Sequence, residues 1–275
     1  MNNLSFLMPC RIESEDRLKN VITSISYISN YFPECPIILK ENDSQSVFKD
    51  KALPVIKNIF EKVPKNLNHI FEKSNDEFFY KTKILNDLLV ESNTDVVYNY
   101  DVDVVYPISS YTSAYDMINS GAFDAVYSYG CGVYQWAVDY PVSLFNSFVE
   151  SAFNLDVLKP YCKLHPSVMG WGQMINRKVY IDSYMWNENF ISWGAEDCEY
   201  YYRLQALGYR VGRVNDVVYH FDHSRTFNSH YHNPKFMDNH NLWQNIRNWD
   251  KNNIIKYYEN QGYVNERRRQ LNVSV

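Results

Sequence analysis

Apolar positions along the chain switch repeatedly between the spacing of a strand and that of a helix. "LSFLMPC" is a short unbroken apolar run, the pattern of a buried strand. The stretch after it, "ESEDRLKNVITSISYISNYF", puts Leu18, Val21, Ile22, Ile25 and Ile28 on one helical face. "PIILKEN" then predicts a second strand, "VIKNIFEKV" a helix and "NHIFEK" a third strand. "YKTKILNDLLVES" predicts a helix with Ile84, Leu85, Leu88 and Leu89 on one face, and "TDVVYNYDVDVVYP" a fourth strand. Strands alternating with helices imply βαβ units: an α/β fold with a mostly parallel central sheet flanked by helices. Beyond Pro107 the periodicity loosens. "PISSYTSAYDMINSGAFDAVYSYG" mixes a helix and a strand, and an aromatic, weakly periodic region runs to about Pro166. No repeat, low-complexity tract or linker marks a boundary, so one domain with an elaborated second half is expected over residues 1–275.

Composition sharpens this picture in two places. Aromatic residues make up 16% of the chain, with 24 Tyr. Flat apolar rings with polar handles suit sugar or base platforms as well as a core. The net charge is -5, and the one basic run is "NERRRQ" near the C-terminus, which argues against a nucleic-acid binder. An acidic protein that handles phosphates is expected to do so through a metal ion. Five cysteines without CxxC spacing predict neither a disulfide framework nor a zinc site. With no leader-like segment and no run of about 18 apolar residues, a cytoplasmic protein is expected, at most peripheral to a membrane.

Three segments carry candidate chemistry. "YNYDVDVVYP" sets Asp101 and Asp103 in an apolar run at a strand end, where ligands bind in parallel α/β sheets. In strand geometry both carboxylates would face one side, and two hard oxygen donors there suit Mg2+ or Mn2+ with phosphates. The competing reading is a solvated pair at a strand-to-loop junction. "WGAEDCEYYYRL" places Glu196, Asp197 and Glu199 beside a Trp-Gly turn at a helix N-terminus. Capping and the helix dipole account for one acid there. A carboxylate beside an exposed Trp also suits a sugar acceptor, the ring stacking on a pyranose while the carboxylate removes a hydroxyl proton. "VVYHFDHSRTFNSHYHNP" groups His220, Asp222, His223, His230 and His232, which raises a metal-ligand role above a structural one.

Taken in order, these blocks resemble glycosyltransferases of the GT-A fold, in particular the β-1,4-galactosyltransferase group and its bacterial relatives. The resemblance runs from about Leu4 to Phe236. "MPCRIESEDRL" is similar to the opening nucleotide-binding strand and turn, "FYKTKILN" to the family's helix start, and "DVD" to its metal motif. "GWGQMINRK" resembles the Gly-Gly segment before the acceptor site, "WGAEDCE" the Trp-Gly-Gly-Glu-Asp signature, and "HSR" with "NPKF" the mobile loop. The resemblance implies a nucleotide-sugar-binding half over 1–110, an acceptor and catalytic half over 111–240, and a C-terminal helical extension over 241–275. Pro9, Arg11, Phe79, Lys81, Asp101 and Val102 would then line the UDP-sugar site. Asp103, His220 and His223 would hold Mn2+ or Mg2+. Trp193, Gly194, Val168 and Gly170 would form the acceptor and donor-sugar pocket, with Asp197 as catalytic base beside Glu196.

The implied reaction is an inverting transfer of a hexose, Gal or GalNAc in type, from a UDP-sugar to a carbohydrate or glycolipid hydroxyl, giving a β-linkage. His220 stands where vertebrate members carry a methionine ligand, which should widen metal tolerance towards Mg2+. "GWG" replaces Gly-Gly, and Cys198 stands where vertebrate relatives carry an acid. Val168 aligns with a position where a bulky tyrosine favours galactose, so UDP-GalNAc is expected to be accepted at least as well as UDP-Gal. The alternative there is an ordinary core valine. For the whole chain the alternatives are a retaining glycosyltransferase, a nucleotidyltransferase on a similar fold, or a non-catalytic carbohydrate-binding protein.

Overall fold

A computed structural model describes residues 1, 3–167 and 169–273, so Val168 lies outside the described residues. Strand β1 (Leu4–Cys10) is buried along its whole length and pairs in parallel with β2 (Ile37–Asp43) and β4 (Val96–Asn99), while β3 (Leu67–Lys73) extends the sheet beyond β2. The crossovers are α1 (Glu15–Tyr31), α2 (Leu53–Phe60) and α3 (Lys81–Glu91). Ser14 starts α1 by accepting the Arg17 N–H on its hydroxyl, and Glu15 and Asp16 complement the helix dipole. Past β4 the sheet changes direction. Strand β9 (Gln173–Asn176) runs antiparallel to both β4 and β6 (Ala125–Tyr127), and β10 (Val211–Arg213) closes the edge parallel to β6. The seven strands lie in the order β10-β6-β9-β4-β1-β2-β3. The expected mostly parallel α/β sheet is present, with β9 as its one antiparallel member.

The predicted fourth strand needs correcting. It does not run through "DVDVVYP": β4 ends at Asn99, the chain turns through Val102 and Asp103, and β5 (Val104–Val105) joins a second sheet. That sheet has the order β5-β11-β7-β8, with β7 (Gln135–Val138), β8 (Cys162–Leu164) and β11 (Val218–Phe221). The buried Tyr100 hydroxyl closes the turn by donating to the Val104 carbonyl at 2.7 Å. Asp101 and Asp103 therefore share a cleft through a turn between two sheets, not through strand alternation.

Alternation along the strands sorts side chains into two cores. Phe6 on β1 and Tyr98 on β4 face one cluster with Tyr100, Tyr106 and Tyr111, whereas Leu7 and Val97 face a second with Leu85, Tyr180, Trp186 and Tyr200. Much of the tyrosine excess is thus core. Helix α7 (Glu196–Leu207) is clamped from behind by α9 (Lys251–Glu259). The fully buried Glu199–Arg203 pair, 2.8 Å apart, accepts a 2.5 Å hydrogen bond from the Tyr258 hydroxyl, and the guanidinium lies 4.2 Å from the Tyr258 ring centre. Helix α10 (Gly262–Gln270) is tied to α3 through Arg267, which pairs with Asp87. Among the described residues no helix is long and apolar enough to cross a membrane.

Candidate active site

A cleft of about 350 Å³ opens where the two sheets part, beyond the carboxyl ends of β1 and β4. Every residue that the glycosyltransferase resemblance assigns to the site lines it except Val168, which is not described, whereas Glu199, Asp222, His230 and His232 do not line it. Three groups of side chains divide it.

The first is a metal-ligand set. Antiparallel pairing of β5 with β11 sets His220 opposite Val104, and the Phe221 N–H donates to the Asp103 carbonyl at 2.8 Å. This register brings one ligand atom each from Asp103, His220 and His223 within 4.8 Å of one another. His223 Nε2 lies 3.2 Å from Asp103 Oδ2 and His220 Nε2 lies 3.8 Å from it. Burial would raise the Asp103 pKa, but hydrogen bonds and charge from the two imidazoles outweigh it and hold the carboxyl well below the usual range. His223 Nδ1 donates to the Ser224 carbonyl at 3.0 Å, so in the neutral imidazole that binds a metal Nε2 carries the lone pair. Asp103 Oδ1 is buried without a hydrogen-bond partner. One carboxylate oxygen, two imidazole nitrogens and an orphaned buried oxygen fit a divalent ion of the Mn2+ class.

The histidine cluster in the sequence is only partly a site. His230 and His232 pack against one another and against Tyr231 in tilted and edge-on contacts outside the cleft, and Asp222 pairs with Lys163 at the surface.

The second group is acidic, gathered around Lys81 at the start of α3. Its Nζ lies 3.1 Å from Asp101, 3.6 Å from Glu196 and 4.0 Å from Asp197. Asp101 is therefore a partner of Lys81 and of the Trp171 N–H, at 3.2 Å, rather than a second ligand beside Asp103. Glu196 is buried and accepts the Gly194 N–H at 3.1 Å, fixing the Trp-Gly turn. Glu199 faces away into the Arg203 pair. Asp197 keeps a quarter of its side chain open to the cleft. Its pKa is pushed up to about 7, first by burial and then by Glu196 and Asp101, against the opposing charge of Lys81. A carboxylate of that pKa, open on one side, is matched to general-base work near neutrality.

The third group frames the opening. Trp193 is 38% exposed and stacks on Phe236 at 5.5 Å, and the Gly194 backbone, at φ 123°, brings its α-carbon so near that ring that a Cβ would stand 3.0 Å from it. The Asn228 amide ties the loop down, accepting from the Phe79 N–H at 2.8 Å and the Ser192 hydroxyl at 2.7 Å while donating to Glu13 at 2.8 Å. Ser224 is held by Asp16, whose pKa these hydrogen bonds lower to about 2.

Arg11 lines the cleft but spends its donors on Asn42 and on the Glu77 carbonyl, at 2.8–2.9 Å, and so anchors the loop after β1. Arg17 and Arg225, which sequence reasoning passed over, face the same cleft less committed. Arg17 Nε is buried with no hydrogen-bond partner among the described residues, and Arg225 has one 3.5 Å contact to the Ser229 carbonyl. A sequence signal did exist for Arg17: a cation in the first turn of a helix opposes the helix dipole. Trp171, also passed over, stacks on His220 at 5.2 Å.

No family model matches the chain, and no curated protein matches it. Solved structures do. A mannosyltransferase from Pyrobaculum calidifontis, in complex with GDP-Man and Mn2+, is 14% identical with a TM-score of 0.50; the match covers 80% of this chain and 56% of that one. S. aureus TarS is 15% identical with a TM-score of 0.51, over 80% of this chain and 60% of its own. Its complex with UDP-GlcNAc matches at 12% identity and a TM-score of 0.50, over 81% and 59%. The chain thus spans less than two thirds of the length of these proteins, and at such identities the shared property is the fold. That fold is the GT-A type of these glycosyltransferases.

Proposed function

We propose that the protein is a metal-dependent glycosyltransferase that moves a hexose of the Gal or GalNAc type from a UDP-sugar to a glycan or lipid-linked hydroxyl with inversion. The observation that carries this reading is the pairing, in one cleft, of the Asp103–His220–His223 set with a partly exposed carboxylate, Asp197, of pKa about 7. A divalent ion held by Asp103, His220 and His223 would neutralise charge on the diphosphate. Arg17 and Arg225 flank that position and add positive charge. Trp193 offers its exposed face to an acceptor sugar. Asp197 takes the acceptor hydroxyl proton as that oxygen bonds to the anomeric carbon. The bond from that carbon to the phosphate oxygen breaks, and UDP leaves with the electron pair. Attack opposite the nucleotide turns an α-linked donor into a β-linked product.

The test is thermal stability with UDP-sugars, with and without Mn2+. Since a ligand of the native state raises its melting temperature, stabilisation by a UDP-sugar should require Mn2+ and vanish in Asp103→Ala. Equal stabilisation in that variant would remove the metal assignment. Absence of Mn2+-dependent UDP-sugar turnover in a protein that binds the donor would favour a carbohydrate-binding protein.

A further inference from the structure

Behind Asp197 the cleft continues into a small annex, lined by Asn99, Gln173, Trp186, Lys81, Asp101 and Asp197. Asn99 and Gln173 are directly opposed across the β4–β9 ladder, at the strand ends nearest the reacting groups. They are 3% and 2% exposed, and Trp186 is 3% exposed. Both amide atoms of Asn99, both of Gln173 and the Trp186 indole N–H are buried without a hydrogen bond of ordinary geometry, although the Tyr127 hydroxyl, which also lines the annex, lies close enough to Gln173 to interact with it. Each such group is costly to leave unpaired in the interior. Five such atoms on residues around one small space call for a polar occupant, an ordered water or a ligand hydroxyl. The annex measures about 10 Å³, room for a single water-sized oxygen. Gly172, at φ 104°, closes its wall, and a Cβ there would come within 3.0 Å of the Asn99 carbonyl.

We propose that this annex is a hydroxyl-recognition pocket for the donor hexose, in which Asn99, Gln173 and Trp186 grip one unsubstituted sugar hydroxyl. The proposal rests on the glycosyltransferase reading above, because it requires a hexose held between the Asp103 set and Asp197. Amide groups both donate and accept, and the indole donates, so a hydroxyl can satisfy them with its proton and both lone pairs. An acetamido or other extended substituent does not fit in the space of one oxygen. The pocket therefore selects for a free hydroxyl at one ring position and leaves other positions to the rest of the cleft.

The test compares the dissociation constants of UDP and of the best-bound of UDP-Gal, UDP-GalNAc, UDP-Glc and UDP-GlcNAc, with Mn2+ present. In Asn99→Leu and in Gln173→Leu the ratio of the UDP-hexose constant to the UDP constant should rise about 10–100-fold, the worth of one or two buried hydrogen bonds. The UDP constant should stay within about twofold, and the melting temperature without nucleotide should hold or rise, because unsatisfied polar groups have been removed. Should neither variant fold, monodeoxy donors on the unaltered protein give the same answer: removal of one particular hydroxyl should cost about 10–100-fold and removal of the others little. An unchanged ratio in both variants, or equal losses across the deoxy series, would overturn the proposal and leave the glycosyltransferase reading standing. Failure of the unaltered protein to bind UDP or any of the four donors with Mn2+ would overturn both.

Discussion

Asp197→Asn separates the chemical role of the carboxylate from its effect on stability, because the two respond to pH in different ways. The folded-state pKa of about 7 lies above the ordinary 3.8. The native state therefore holds a proton that the unfolded chain gives up between those values. Stability contributed by this group falls as pH rises from 3.8 to about 7 and is constant above. An amide does not titrate, so the stability of Asp197→Asn relative to the parent should grow with pH over that window. Between about pH 5.5 and about pH 8.5 the difference should widen by about 2 kcal/mol, from about 1.5 pH units at about 1.4 kcal/mol each. Titrating groups remote from Asp197 contribute equally to both proteins and cancel, while Glu196, Asp101 and Lys81, which interact with its charge, add a smaller change of their own. Urea unfolding at the two pH values reads the widening directly. Transfer should fall by roughly 10²–10⁴, the usual share of general-base catalysis, while Mn2+-dependent UDP binding persists. The parent kcat/KM should rise through a midpoint near pH 7. A stability difference independent of pH, or unchanged transfer, would refute the reading of Asp197 as a desolvated base; in the second case Glu196, already spent on the Gly194 N–H, would be next to test.

Arg17→Gln should weaken Mn2+-dependent UDP binding about tenfold, in line with one lost charge-assisted hydrogen bond, and leave Mn2+ affinity alone nearly unchanged by titration. Tyr258→Phe removes the hydroxyl that completes the buried Glu199–Arg203 pair, and should lower stability by about 1–3 kcal/mol in urea while donor binding is kept. For Val168, competition between UDP-Gal and UDP-GalNAc should show comparable use of both, and Val168→Tyr should shift preference towards UDP-Gal by up to about 1–3 kcal/mol.

The order of strands and helices through Val96–Asn99 was legible in the sequence, because burial on both faces of a parallel sheet leaves continuous apolar runs and amphipathic crossovers carry their own period. The residue types of the site were legible too: carboxylates in an apolar run and paired imidazoles are costly enough to demand a reason. Distance is what local pattern does not carry. Whether "DVDVVYP" continues a strand or crosses to a second sheet depends on β11, more than a hundred residues later, arriving to pair with Val104. The same pairing chose His220 and His223 as neighbours of Asp103 and left His230 and His232 outside. Three adjacent-looking acids likewise took three fates on one helix: Glu196 turned to its own backbone, Glu199 to Arg203, and Asp197 to the cleft. Sequence spacing fixes the angle between such side chains around α7. What stands at each angle, a sheet edge, a buried arginine or an open cleft, was decided by the packing of segments distant along the chain.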